Sequence, residues 1–299
     1  MTSGMPVLTG LSSAAASAGT NAAALQRGLN SGGFVLPAGV WPYSKTLIVP
    51  PAAVIEGAGS YKSVLQQLTP GQAGLTLIDG QRLTLSGVGI TGPGITGPQA
   101  AGISLTRAQA ANTALLFFED VIVQQFAGNG IDGPQANIIV STFNRVVCEN
   151  LGGTGFNLTG VPGGSAGTST SLTGCYAVAC KKAGYNLAKM CYSALTGCAC
   201  DSSGAGYVLQ QCEGVSLSGC GTESIVATGT DILSDGTSFR ADACDGIDFG
   251  SGCWTYANGH YVLRVSGGSR NIRAGRIGEN SPLPTALGHT LVDSGSQLG

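Results

Sequence analysis

The residues whose types and spacing could do chemistry stand at a fixed offset from a short repeated motif. Leu85-Ser-Gly-Val88, Phe118-Glu-Asp-Val121, Phe143-Asn-Arg-Val146, Leu172-Thr-Gly-Cys175, Leu195-Thr-Gly-Cys198 and Leu217-Ser-Gly-Cys220 follow one another at comparable intervals, the last three almost evenly spaced. Three positions past the motif's last residue, from the second copy on, come Gln124, Glu149, Val178, Asp201 and Glu223. If successive repeats stack as coils, Asp201 and Glu223 lie about 5 Å apart, with Glu149 about 10 Å from Asp201. Two carboxyls about 5 Å apart suit a retaining glycosidase, in which one is the acid and the other the nucleophile. Like charges that close favour protonation of one member, so two carboxyls can fill different roles. The bland reading is that these are solvated corner residues.

Other candidates are weaker. Asp242, Asp245 and Asp248 lie close together and could hold a cation, but the spacing is not that of an EF-hand, and Asp in Gly-rich loops often caps turns. Lys181, Lys182 and Arg240 form no constellation suited to a lyase, which needs a base beside a neutralised uronate. His260 and His289 would meet only if their coils are adjacent. Trp254 and Tyr256, and also Trp41, offer flat faces on which a sugar could stack, although each also suits ordinary aromatic packing. No P-loop, dinucleotide fingerprint or nucleophile elbow is present, and neither a cofactor nor a metal is expected.

The repeat itself predicts the scaffold. Two positions past the motif stand Ile90, Val123, Cys148, Ala177, Cys200 and Thr222, and nine to twelve past it Ile131, Phe156, Tyr185, Tyr207 and Ile232, most of them closely preceded by Gly. A period of roughly 22 to 30 residues with short β-type runs, Gly-rich corners and little helical signal is that of a parallel β-solenoid. In such a fold each coil stacks on the last and inward positions form continuous apolar columns. Leucine-rich repeats and propellers need other signatures. Cys175, Cys198 and Cys220 then share one column, and Cys148 and Cys200 another, in places that Val or Ile fill elsewhere. Buried thiols are the expectation. Zinc lacks its paired spacings, whereas stacked thiols do fall within disulfide reach.

Composition supports this frame. Charged residues are 10% of the chain, and glycines number 49, so the chain cannot solvate the outer faces of many helices. With 14 basic against 16 acidic residues there is no electrostatic footprint for nucleic acid or an anionic membrane. No apolar run is long enough to span a bilayer, and residues 1–20 lack the regions of a secretory leader. A soluble protein made in the cytoplasm is expected. Residues 1–20, rich in Ser, Ala and Gly, are expected to be a flexible tail or a peptide ordered by a partner.

The segment TNAAALQRGLNSGG predicts a short helix capped by Asn21 that covers the open first coil. It is followed by GGFVLPAGVWPYSKTLIVPPAAVIEGAGS, residues 32 to 60. The order helix, GG, two apolar residues, LP-x-G, apolar strand, proline and an apolar-x-G-x-G turn resembles the entry to the pectate-lyase-like, glycoside-hydrolase-28-related right-handed β-helices of bacteriophage tailspikes. The likeness covers residues 20 to 60, with later coils compatible, and Asn21 departs from the acidic residue often found there.

The resemblance implies a right-handed parallel β-helix, a single domain here over residues 21–299 whose own repeat loosens from about 236, with residues 1–20 a flexible or virion-attachment peptide. It also implies a homotrimeric virion protein, assembled in the host cytoplasm, that binds or depolymerises bacterial surface polysaccharide. The alternative is a non-enzymatic adhesin or structural virion protein. Gly259-His260-Tyr261-Val262 and Gly288-His289-Thr290-Leu291, in matching contexts, predict two final coils, and without the separate trimerisation or chaperone domain that some tailspikes carry, very high kinetic stability is not expected.

Overall fold

A computed structural model describes residues 4–78, 82–106, 113–134, 136–160, 167–256, 261–275, 277–280 and 290–298. Alternation of inward apolar and outward polar residues produces short strands, which pair in parallel into sheets of seventeen, ten and four described strands. The result is an all-β parallel solenoid that, among the described residues, has one α-helix, at its start.

The register is the one the repeat requires. Phe34, Ile55, Leu85, Phe118, Phe143, Leu172, Leu195, Leu217 and Phe249 are successive partners in the largest sheet, and all are fully buried. Leu65, Ile90, Val123, Cys148, Ala177, Cys200 and Thr222 form a second column. The ten-stranded sheet supplies a third: Ile103, Ile131, Phe156, Tyr185, Tyr207, Phe239 and Leu263. Within it the rings of Phe156, Tyr185, Tyr207 and Phe239 stack nearly parallel with centroids 4.8, 4.7 and 5.2 Å apart. A spacing equal to the strand repeat lets rings lie face to face and offset, which aromatic quadrupoles favour.

The third residue of the motif turns the corner. Gly87, Gly174, Gly197 and Gly219 all have φ near +60°, and Asp120 and Arg145 adopt φ of 51° and 50° at the same place. A left-handed residue costs glycine nothing, hence the recurring Ser-Gly and Thr-Gly pairs. A different constraint fixes the glycines that stand just before the inward ring residues of the ten-stranded sheet, Gly206 before Tyr207 and Gly155 before Phe156. A Cβ at Gly206 would lie 2.2 Å from the Ser238 carbonyl oxygen on the next coil, and one at Gly155 would lie 2.6 Å from that of Gly184.

All ten cysteines are free thiols, and every one but Cys191 is buried. Cys175, Cys198, Cys220 and Cys253 point inward in one column, each thiol donating to a carbonyl of the preceding coil. The acceptors are Phe143, Leu172, Leu195 and Leu217, at 3.3, 3.4, 3.4 and 3.7 Å. A small apolar side chain with a weak donor satisfies this corner where valine would only fill it.

The helix spans Ala18–Asn30 and buries Ala22, Leu25 and Leu29 against the first coil. Asn21 is no cap. It lies within the helix, fully buried, where its amide bonds the backbone N–H and carbonyl of Ser12 and the carbonyl of Pro42. The cap position belongs to Ser17, without a side-chain bond, because Ala18 and Gly19 already lie in the helix. The helix therefore crosses the boundary expected between residues 20 and 21, and the segment before it joins the first coil through Val7 and Val35. Gln26 extends its amide to the N–H and carbonyl of Ile48 at 2.9 and 2.8 Å, occupying the outer edge of the strand Leu47–Val49. An edge paired by a side chain no longer offers a template to another chain.

Two register expectations are corrected. Tyr207 pairs with Phe239, not Ile232. The coil is lengthened by an insertion in which Ile232 and Leu233 pack on Ala183, Ala205 and Val208, and Asp235 ion-pairs with both Arg240 and Arg264. In the last coils it is Leu263, not Tyr261, that pairs with Thr290, so the two histidine-containing segments do not stack in the register their sequences suggest. His260 and His289 lie outside the described residues.

Candidate functional site

Asp201 and Glu223 are register partners, on the strands Ala199–Asp201 and Gly221–Glu223 of adjacent coils. Both side chains project outward because the neighbouring positions, Cys200 and Thr222, belong to an inward column. The partner of Glu223 on the next coil is Tyr256, and the partner of Gly221 is Trp254. Four of the residues selected from sequence thus share a single face. A groove of roughly 470 Å³ opens there, lined by Asp201, Glu223, Trp254, Tyr256, Tyr176 and the backbone-level residues between them. Trp254 and Tyr256 are 49% and 39% exposed, an arrangement with flat apolar faces turned to solvent.

Tyr176, Ala199, Gly221 and Trp254 form one outward column across four coils. Two aromatic residues bracket two of the smallest side chains, and the dip between them is the groove floor. Tyr176 is absent from the candidates drawn from sequence, although a signal exists: it is the first residue after its motif, and Ala199 and Gly221 are the first after theirs. Trp254 does not fall on that count as directly, because Phe249-Gly-Ser-Gly-Cys253 is one residue longer than the other copies.

The carboxyls differ in their surroundings. Asp201 is half-buried and accepts hydrogen bonds from the Tyr176 hydroxyl at 3.2 Å and the Ser202 hydroxyl at 2.8 Å. Glu223 is exposed. Burial, reinforced by the charge of Asp201, pushes the Tyr176 phenol up to about 12, so it stays a proton donor at neutral pH. No lysine, arginine or histidine is among the described residues that line the groove.

Glu149 stands elsewhere. It pairs with Val178, which pairs with Asp201, so it lies two coils away at roughly 10 Å, bonded to Asn150 and outside the groove lining. Trp41 is part-buried against the core, its indole N–H on the Pro37 carbonyl. Asp242, Asp245 and Asp248 diverge. Asp242 accepts from Ser266 on the ten-stranded sheet, Asp245 meets Arg270 and Asn271, and Asp248 pairs with Ser216 and Arg273 in the largest sheet. Among the described residues no cluster of three or more His, Cys, Asp or Glu is arranged to hold a metal ion.

The fold is the right-handed parallel β-helix, and solved structures share it. The gp42 tailspike of Acinetobacter phage vb_AbaP_AS12 superposes with a TM-score of 0.64 at 14% identity, over 93% of this chain and 59% of that one. The enzymatically active domain of tailspike protein 2 from bacteriophage CBA120 gives 0.52 at 15% identity, over 86% of this chain and 40% of that one. An alginate lyase from Paenibacillus sp. str. FPU-7 gives 0.58 at 13% identity, over 90% of this chain and 97% of that one. The chain therefore spans somewhat more or less than half of each tailspike chain. No protein family model and no curated protein matches the sequence.

Proposed function

We propose that this chain is the glycan-engaging β-helix of a phage tailspike, a receptor-binding virion protein that holds bacterial surface polysaccharide and hydrolyses it with Asp201 and Glu223. The observation that carries the reading is the meeting of a register-paired Asp and Glu with three aromatic side chains in one solvent-open groove. Rings in register along a groove stack against the apolar faces of sugars, while paired carboxyls supply an acid and a nucleophile. The β-helix of the tailspikes it superposes on supports the class of protein. Hydrolysis is preferred to elimination because no basic side chain among the described lining residues could neutralise a uronate. The reading includes a homotrimer and anchorage to a virion protein through residues 1–20, which light scattering and pull-down from disrupted virions would test.

The deciding experiment incubates the protein with surface polysaccharides from a panel of bacterial strains and assays new reducing ends and unsaturated products. New reducing ends that vanish in the Asp201→Asn, Glu223→Gln double variant support the proposal. Full activity in that variant removes the site assignment. Binding of a polymer without cleavage assigns the groove to an adhesin.

A further inference from the structure

The outward column Tyr176, Ala199, Gly221 and Trp254 runs along the solenoid axis, one residue per coil. Three coil steps separate Tyr176 from Trp254 along the backbone, about 14 Å at the usual strand spacing, and the Trp254 ring lies over Gly278 of the following coil. A polymer stacking on both must therefore lie along the axis, over Ala199 and Gly221 and beside Asp201 and Glu223. Both walls and floor are uncharged, and the only charges among the described lining residues are the two carboxyls. Arg145 pairs with Glu119, while Arg240 and Arg264, both on the ten-stranded sheet, share Asp235 of the insertion.

Resting on the functional reading above, we infer that the groove selects a stretch of glycan free of acidic groups, laid along the axis between Tyr176 and Trp254, with Ala199 and Gly221 setting the space it occupies. A uronate, sialate, phosphate or sulfate on that stretch would face Asp201 and Glu223 with no cation from the lining to offset the repulsion. The floor can be raised without disturbing the fold. Gly221 does not have a positive φ, and the nearest atom to a Cβ built there is the Trp254 carbonyl oxygen at 3.7 Å, an ordinary contact. The tyrosine and tryptophan already present in the column show that it accepts rings.

The test uses the full chain and its Gly221→Tyr variant against purified surface polysaccharides from typed strains, chosen to include polymers with and without acidic sugars. Calorimetric titrations are run at low and high salt, and oligosaccharides captured from partial hydrolysates are identified by mass spectrometry. The inference expects captured fragments without acidic groups and affinity that does not strengthen as salt rises. It also expects at least about tenfold weaker binding in Gly221→Tyr, with an unchanged melting temperature. Capture of acidic fragments by wild type, lost in Gly221→Tyr, overturns this inference and leaves the functional reading standing. Binding that survives in Gly221→Tyr, or no binding to any polymer, removes the groove as the glycan site and both readings with it.

Discussion

The Tyr176 hydroxyl donates a 3.2 Å hydrogen bond to Oδ2 of Asp201 across the step between two coils. One residue is thus both an end wall of the groove and the positioning partner of an acid. Tyr176→Phe keeps the ring and removes the bond, so kcat should fall about tenfold with KM little changed, the signature of an interaction that matters in the transition state. Trp254→Ala removes only a stacking face and should raise KM about tenfold or more at nearly constant kcat. Steady-state kinetics on the cleaved polysaccharide checks both.

Stability should fall at alkaline pH. Burial raises the Cys200 thiol to about 12 and the Cys148 and Cys180 thiols as well, while Tyr176 is pushed up to about 12. A folded-state value above the unfolded one means the native chain holds its proton more tightly. Stabilisation is then complete below the unfolded values of about 8.5 for thiols and 10 for tyrosine, and is lost as pH rises toward 12. Urea midpoints should be level up to about pH 8 and then decline, with a shallower decline in Cys200→Ala.

The apolar column predicts a sharp contrast between neighbours in sequence. Leu195 is fully buried between Leu172 and Leu217, whereas Thr196 faces solvent. Leu195→Ala should cost about 3 kcal/mol, and Thr196→Ala within about 0.5 kcal/mol, as read by urea denaturation.

Two glycines with different jobs should respond differently. Gly197 sits at φ +59° with nothing within 4 Å of a built Cβ, so Gly197→Asn, which tolerates the left-handed region, should stay within about 1 kcal/mol of the parent. Gly206→Ala places a methyl 2.2 Å from the Ser238 carbonyl oxygen and should cost about 2 kcal/mol or more, because backbone must move. Thermal melts distinguish them.

Asn21→Ala should detach the N-terminal helix from the first coil. It removes three bonds made by a fully buried amide and leaves the Ser12 and Pro42 carbonyls short of donors, at a cost of about 2 kcal/mol. Hydrogen exchange should show faster opening of Ala18–Asn30, with the strands of the later coils, such as Ala194–Thr196, unaffected.

Much of this was legible in the sequence because a solenoid converts sequence distance into spatial contact by a nearly constant step. Leu172, Leu195 and Leu217 could be placed on one pile, and Asp201 beside Glu223, by counting from a motif whose glycine marks each corner. Counting failed where a step changed length. The insertion that holds Ile232 and Leu233 left Phe239 as the true partner of Tyr207, and the final coils slipped so that Leu263 took the place expected of Tyr261. Asn21 read as a cap because Asn is a common one, and only the approach of Ser12 and Pro42 made it an interior clamp.

The sequence alone therefore determined the period, the inward columns and the acid pair, since each follows from residues repeating along one chain. The groove was decided by tertiary structure. Its depth depends on which coil brings a ring beside which small residue, so Tyr176 and Trp254 define a site only once the coils between them hold Ala199 and Gly221 low. A hollow is a difference in height between neighbours, and the neighbours here are set by stacking, not by adjacency in the chain.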